Sequence, residues 1–97
     1  MSGRLNRDQA VALYDSEFWR YLNAEERACF QLTVGRLCMP FLIFHQAVEL
    51  CLNRRVAAAE YLRPRLLLNE LTGNLPAPAI EDILSLVPQD SLPLMVA

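Results

Sequence analysis

The chain has 97 residues, of which 54% are hydrophobic and 21% are charged, and its formal net charge is −2. This length suits one domain with a modest core, and the apolar content excludes disorder over most of the chain. No uncharged run approaches the roughly 20 apolar residues of a membrane span, and the N-terminus lacks a signal-peptide core. We therefore expect one domain over residues 1–97 that is soluble, cytoplasmic and free of membrane contact.

Two capping signals predict helices in the first third of the chain. Asn6 and Gln9 have capping-box spacing, which predicts a helix that ends near Tyr14. Asp15 and Ser16 predict the end of this helix, and one of their two side chains is expected to cap the turn that follows. Asn23, with Glu26 three residues later, predicts a second helix that continues to about residue 36.

The densest apolar segment, residues 40–53, predicts the central helix of the domain. Pro40 suits a first helical turn, and Asn53 suits a left-handed helix end. At about 100° per residue, apolar side chains cover a wide arc of this helix, and Gln46, Glu49 and Asn53 form one narrow polar stripe. A helix with so wide an apolar arc should pack on most sides. We therefore predict an all-α fold, a compact bundle of four or five short helices around this buried helix.

The segment after residue 53 predicts a short helix or turn and then a new helix from Pro64 to about Leu71. Gly73 is predicted to close that helix in the left-handed conformation. The apolar side of the helix is expected to consist of its leucines, Leu66, Leu67, Leu68 and Leu71.

Residues 74–97 differ in composition and form a proline-rich C-terminal extension. Four of the six prolines lie after residue 75. A short helix is predicted over about 78–86, with Ile80, Ile83, Leu84 and Val87 facing the core. The apolar tail, which includes Leu94 and Met95, could pack back on the domain, exchange with a second copy or dock on a partner.

A string of residues around the start of the central helix is the most specific motif in the chain. It reads Arg36-Leu37-Cys38-Met39-Pro40-Phe41, followed by Phe44-His45, and further matching positions are Tyr14, Asp15, Trp19, Leu22, Phe30, Gln31, Leu32, Ala47, Glu49, Leu52, Arg55, Val56, Glu60 and Tyr61. With these residues, the chain over about 10–73 resembles a family of small proteins of unknown function encoded by phages, prophages and other mobile elements. The family pattern has Gly-Arg-Pro-Val and then Thr-His-Glu after the central helix. This chain has Asn53-Arg54-Arg55-Val56 instead of the first string, and Ala58-Ala59 in place of the threonine and histidine of the second. The resemblance implies a mobile-element context in a bacterial host, without an established activity.

His45 is the most obvious candidate for chemistry. It lies one helical turn before Glu49, and the pair beside Cys38 could be imagined as a nucleophilic site. The favoured interpretation is a boundary histidine that hydrogen-bonds Glu49 or nearby backbone. The chain contains no phosphate-binding loop and no H-E-x-x-H motif. We therefore predict a protein that is not an enzyme, with no catalytic residues and no cofactor.

Cysteine usage gives no sign of a metal site. The three cysteines, Cys29, Cys38 and Cys51, are odd in number and lack C-x-x-C spacing, and the chain has a single histidine. We interpret the cysteines as buried free thiols in a reducing compartment, and we predict no metal ligands.

An arginine cluster follows the central helix. Residues 54–65 contain Arg54, Arg55, Arg63 and Arg65 against a single glutamate. These side chains could face phosphates, so a small DNA-binding regulator is the alternative function. The acidic net charge and the lack of lysine argue against nucleic acid as the partner. The simpler interpretation is a solvated face that neutralises the acidic segment 66–97 of the same domain or of a second copy.

A chain this short and this apolar is expected to leave hydrophobic surface exposed, and exposed apolar patches mark interfaces. We predict a phage or mobile-element accessory protein that binds a host protein stoichiometrically. An inhibitor of a bacterial defence system, of the anti-CRISPR kind, is the specific version, and a homodimer is an open alternative. Trp19 is interpreted first as a core residue and second as an interface residue. The candidate partner-binding residues are Arg54, Arg55, Arg63, Arg65, Trp19, Leu42, Leu94 and Met95.

Overall fold

The computed structural model describes residues 5–92, and within that range it contains helices, turns and no strand. Three short 3-10 helices lie at Phe18–Tyr21, Ala58–Leu62 and Gln89–Ser91. The all-α prediction is confirmed. The α-helices of the described residues are α1 (Arg7–Ser16), α2 (Ala24–Val34), α3 (Phe41–Leu52), α4 (Pro64–Thr72) and α5 (Ile80–Leu84).

The first two helices begin at the predicted capping boxes. The Asn6 side chain accepts the Gln9 N–H at 2.8 Å, and the Gln9 side chain accepts the Asn6 N–H at 3.1 Å. Asn23 and Glu26 make the same reciprocal pair, with both distances 2.8 Å. Each box satisfies two backbone donors that a helix start leaves without intrahelical partners.

The end of α1 differs from the prediction. The helix continues to Ser16 and ends at Glu17, which adopts left-handed φ and ψ of 56° and 35°. Ser16 Oγ donates to the Leu13 carbonyl at 2.7 Å, and the next 3-10 helix has no side-chain cap. The predicted capping of that turn by residue 15 or 16 is therefore wrong. A serine hydroxyl can bond back to a carbonyl of its own helix, and it then does not serve as the cap of the next turn.

The core is centred on α2, which packs against α3, α4 and α5. Its buried residues are Ala28, Cys29, Phe30, Gln31, Leu32 and Val34. By contrast, α3 buries only Phe44, Ala47 and Val48, and its Leu42 and Leu50 are 63% and 73% exposed. The expectation that residues 40–53 pack on most sides is therefore not met. A wide apolar arc does not show which part of it meets a neighbouring helix, because apolar residues are common on protein surfaces too.

The later helix ends follow the predictions closely. Asn53 and Gly73 close α3 and α4 with φ values of 53° and 65°. Pro40 precedes α3 as its N-cap residue instead of lying in its first turn. The side chains that α5 and the next turn bury are Ile80, Ile83 and Val87, and they join the same core as Leu5 near the N-terminus.

Candidate protein-binding surface

The connection between α3 and α4 is held against α3 by a network around His45. Glu49 Oε2 accepts the Val56 N–H at 2.7 Å and lies 3.3 Å from His45 Nε2. On the other side of the imidazole, Nδ1 lies 2.6 Å from the Tyr61 hydroxyl oxygen. The predicted pairing of His45 with Glu49 is confirmed. The Tyr61 contact was not predicted from the sequence, and it fixes the 3-10 helix Ala58–Leu62 beside α3.

The donors and acceptors of this network match one another. Burial and the nearby Glu49 and Glu60 carboxylates raise the pKa of Tyr61 to about 12, so its hydroxyl keeps its proton. With a proton on Nε2, the imidazole of His45 donates to Glu49, and its Nδ1 accepts from the Tyr61 hydroxyl. The Phe41 ring stacks on the imidazole with centroids 5.7 Å apart. Each polar atom of the imidazole thus has a partner within the fold, which supports the interpretation of His45 as a boundary histidine.

Cys38 is poorly suited to act as a nucleophile. Its side chain is fully buried, and burial raises the pKa of its thiol to about 12. Its backbone N–H and its Sγ both donate to Gln31 Oε1, at 2.9 Å and 3.3 Å. Gln31 Nε2 donates in turn to the Arg36 carbonyl at 2.6 Å. This arrangement holds the α2–α3 connection in place and leaves the thiol protonated and covered.

Arg54 joins the connection to α4 by ion pairs. Its Nε and Nη2 atoms donate to the two carboxylate oxygens of Glu70 at 2.9 Å and 2.7 Å. Its Nη2 and Nη1 atoms also donate to Glu60, at 2.8 Å and 3.2 Å. These hydrogen bonds from Arg54 hold the pKa values of both carboxyl groups below their ordinary range, and they raise the pKa of Arg54. Arg54 is exposed, as Arg55, Arg63 and Arg65 are, but its guanidinium is already paired with two carboxylates of the protein itself.

These contacts shape a groove between the 3-10 helix Ala58–Leu62 and α4. The groove has a volume of about 480 Å³ and is open to solvent. Two of its side chains are large, apolar and exposed: Leu62 at 83% and Leu66 at 58%. We call this surface the leucine groove, and its lining residues are Ala59, Glu60, Leu62, Arg63, Leu66, Leu67 and Glu70.

The two exposed leucines were not predicted as site residues, although the sequence contains a signal for one of them. Leu66 was placed on the apolar side of α4 with Leu67, Leu68 and Leu71. At 100° per residue, however, Leu66 lies about 200° from Leu68 on the helix circumference. Leu67 is buried, and Leu68 and Leu71 pack against the core, so Leu66 must face outward. The sequence gives no such signal for Leu62, because a 3-10 helix of five residues is too short to show a periodic apolar face.

The other predicted partner-binding residues lie in different places. Trp19 is only 6% exposed and belongs to the core, so its predicted role as an interface residue is wrong and the core interpretation is confirmed. Leu42 is exposed on α3 and does not line the leucine groove. Leu94 and Met95 lie outside the described residues. Arg63 lines the groove, and Arg54 contacts both of its glutamates.

Within residues 5–92, no three side chains of the histidine, cysteine, aspartate or glutamate type are grouped so that they could hold a metal ion. Over the same range, every helix is too short or too polar to cross a bilayer. Comparisons of the chain with protein families, curated proteins and solved structures found no match. The leucine groove therefore has to be interpreted from its own chemistry.

Proposed function

We propose that the protein acts by stoichiometric binding of another protein, and that the leucine groove is the binding surface. The observation that supports this is the exposure of Leu62 and Leu66 within one concave surface. Burying a leucine side chain completely stabilises a complex by about 1.5–3 kcal/mol before the costs of association. Binding sites commonly combine such an apolar floor with a few charged groups at the edge, and here Glu60, Arg63 and Glu70 supply those charges.

In its specific form, the proposal is a phage or mobile-element accessory protein whose partner is a host protein. The resemblance over residues 10–73 and the small size support this context. An inhibitor of a bacterial defence system, of the anti-CRISPR kind, would cover a nucleic-acid-binding or assembly surface of its target. Such an activity needs a stable binding face and no chemistry of its own, and a groove held by the His45 and Arg54 contacts meets that need.

The test is co-purification from a bacterial host lysate with three forms of the protein. The wild type and the control Leu75→Ser, at an exposed leucine that does not line the groove, should retain the same host protein in a fixed ratio. The double variant Leu62→Ser with Leu66→Ser should lose it while its circular dichroism spectrum stays unchanged. Recovery of no host protein, or equal recovery by the double variant, would contradict the proposal. A solution mass twice that of the chain, lost in the double variant, would instead assign the groove to a homodimer.

A small DNA-binding regulator is the second candidate, because Arg55, Arg63 and Arg65 are exposed. It predicts salt-sensitive retention on DNA that weakens when Arg54 and Arg55 are both changed to alanine. The engagement of Arg54 by two glutamates reduces the charge available to phosphates. Absence of a gel shift at low salt would remove this candidate.

A further inference from the structure

Helix α3 has more apolar surface than the described part of the protein covers. Nine of its 12 residues are apolar, and the other three are His45, Gln46 and Glu49. Within residues 5–92, the fold buries three of the apolar side chains, whereas Leu42 and Leu50 are 63% and 73% exposed. Exposed apolar surface on a small domain is typical of an interface.

The exposed leucines of α3 are aligned with each other. Leu42, Gln46 and Leu50 are spaced four residues apart, so they form one ridge along the helix, and all three are exposed. We call these three residues the α3 ridge. At 100° per residue, the ridge lies on the side of α3 opposite Phe44 and Val48, which are buried in the core. Ridges of residues four apart pack into one another in the commonest class of helix–helix contact.

The α3 ridge reads the same in both directions, as Leu-Gln-Leu with Gln46 at its centre. A two-fold axis near Gln46 places Leu42 of one copy against Leu50 of the other, and the reverse pair forms at the same time, as a closed two-fold contact requires. The amide of Gln46 both donates and accepts, so the two central side chains can bond each other. The two helices run antiparallel in this arrangement, which brings opposite ends of their dipoles together.

A contact between identical surfaces also requires that unpaired like charges do not meet. The α3 ridge contains no charged residue. The one acidic residue of α3 is Glu49, whose Oε2 accepts the Val56 N–H at 2.7 Å and lies 3.3 Å from His45 Nε2. Because Glu49 is already engaged within its own chain, a second copy can cover the ridge without burying a carboxylate that lacks a partner.

We infer that the occupant of the α3 ridge is a second copy of this chain, bound antiparallel across a two-fold axis at Gln46. This dimer goes beyond the proposed function, because no residue of the ridge lines the leucine groove. A helix of 12 residues is about 18 Å long, so the contact is smaller than the roughly 800 Å² per partner of a standard interface. The dimer should therefore dissociate on dilution into the micromolar range.

Sedimentation equilibrium measures this dimer directly. At about 1 mM, the wild type should have the mass of two chains, and Leu42→Glu with Leu50→Glu should have the mass of one chain with an unchanged circular dichroism spectrum. The control Leu75→Glu with Leu86→Glu adds the same charges at exposed leucines outside α3, and it should remain dimeric. A single-chain mass for the wild type, or equal loss of the dimer in both double variants, would overturn the inference.

Single cysteines test the antiparallel register with less change to the surface. They are introduced with Cys51→Ser, which leaves only buried native thiols, and are oxidised by diamide, which takes up the two thiol hydrogens. A disulfide needs Cβ atoms about 3.5–4.5 Å apart, so Gln46→Cys should form a covalent dimer by itself. Leu42→Cys alone should not, because its two copies lie about 12 Å apart along the helices, but it should cross-link to Leu50→Cys in a mixture.

Leu75→Cys, at an exposed leucine outside α3, is the control for random collision and should stay uncross-linked in the same time. Self-cross-linking of Leu42→Cys without cross-linking to Leu50→Cys would show a parallel contact and overturn the inference. Equal cross-linking of all variants and the control would overturn it as well.

The dimer and the proposed function can be wrong independently of each other. Leu62→Ser with Leu66→Ser should keep the two-chain mass, whether or not it loses a host protein. Loss of the dimer in that variant, and not in Leu42→Glu with Leu50→Glu, would place the dimer contact at the leucine groove and overturn the inference. A host protein that requires Leu42 and Leu50, with a wild type that stays a single chain, would assign the α3 ridge to a different partner and also overturn it.

Discussion

Replacement of Gln31 by leucine tests whether this buried amide holds the α2–α3 connection. Gln31 accepts from the backbone N–H of Cys38 and donates to the carbonyl of Arg36. Leucine has a similar volume but removes both hydrogen bonds. Cys38 is fully buried, so its N–H would be left without a partner, at a cost of about 1–3 kcal/mol. Arg36 is exposed, so water can replace the bond to its carbonyl at little cost.

We therefore expect Gln31→Leu to lower the free energy of unfolding by about 2 kcal/mol. For a domain of this size, that corresponds to a fall in Tm of roughly 10 °C. Urea denaturation followed by the fluorescence of Trp19, which is buried in the core and is the only tryptophan, measures the change. The thiol of Cys38 should also become more reactive toward a disulfide reagent, because the connection opens more often.

Thr33→Ala is the matched control on the same helix. Thr33 Oγ1 donates to the Cys29 carbonyl at 2.7 Å, four residues earlier in α2. That carbonyl faces a backbone donor of the helix as well, so loss of the hydroxyl should change stability by less than about 0.5 kcal/mol. If Gln31→Leu is no more destabilising than Thr33→Ala, the assigned role of Gln31 is wrong.

Three further predictions concern thiols, pH and helix capping. In the native protein at pH 8, Cys51, the one cysteine that is not fully buried, should react first with a disulfide reagent, and simultaneous reaction of all three would contradict the burial of the other two. The lowered pKa values of Glu60 and Glu70 give stability that is present above the ordinary glutamate pKa of about 4.3 and is lost as pH falls through the folded values. Arg54→Ala removes the arginine that both carboxylates share, so in urea titrations it should remove this contribution to the pH dependence of the free energy of unfolding. Asn23→Ala should lower the free energy of unfolding by about 1 kcal/mol by removing the cap of α2, whereas serine at the same position should restore most of it in the same titration.

Helix starts and ends could be predicted because their chemistry is local. Asn6, Asn23, Asn53 and Gly73 act on backbone groups within four residues of themselves, so their roles can be inferred from spacing alone. The wrong prediction at the end of α1 also concerns local contacts. The Ser16 hydroxyl could either cap the next turn or bond back to its own helix, and residue spacing does not distinguish the two.

Contacts between distant segments could not be predicted in the same way. Tyr61 meets His45, and Glu70 meets Arg54, each across 16 residues of sequence. The sequence contains both partners of each pair, but it does not show that the fold brings them into contact. The identity of the central helix was missed for a related reason. Composition favoured residues 40–53, whereas α2 is the helix that packs against three other α-helices of residues 5–92.

The residues that first suggested chemistry are the ones that hold the leucine groove in shape. His45 would be an attractive catalytic group if one of its nitrogens were unpaired, but both nitrogens face partners within the fold. The same two partners, Glu49 and Tyr61, fix the segment from residue 56 to residue 61 at both ends. Arg54 then fixes that segment to α4, through carboxylates on each wall of the groove. A groove fixed at three points loses little conformational entropy when a partner binds, so more of the leucine burial appears as affinity. In the proposed function, the polar groups favour binding through the rigidity they give the surface, and Leu62, Leu66 and Arg63 are the side chains proposed to make the contacts.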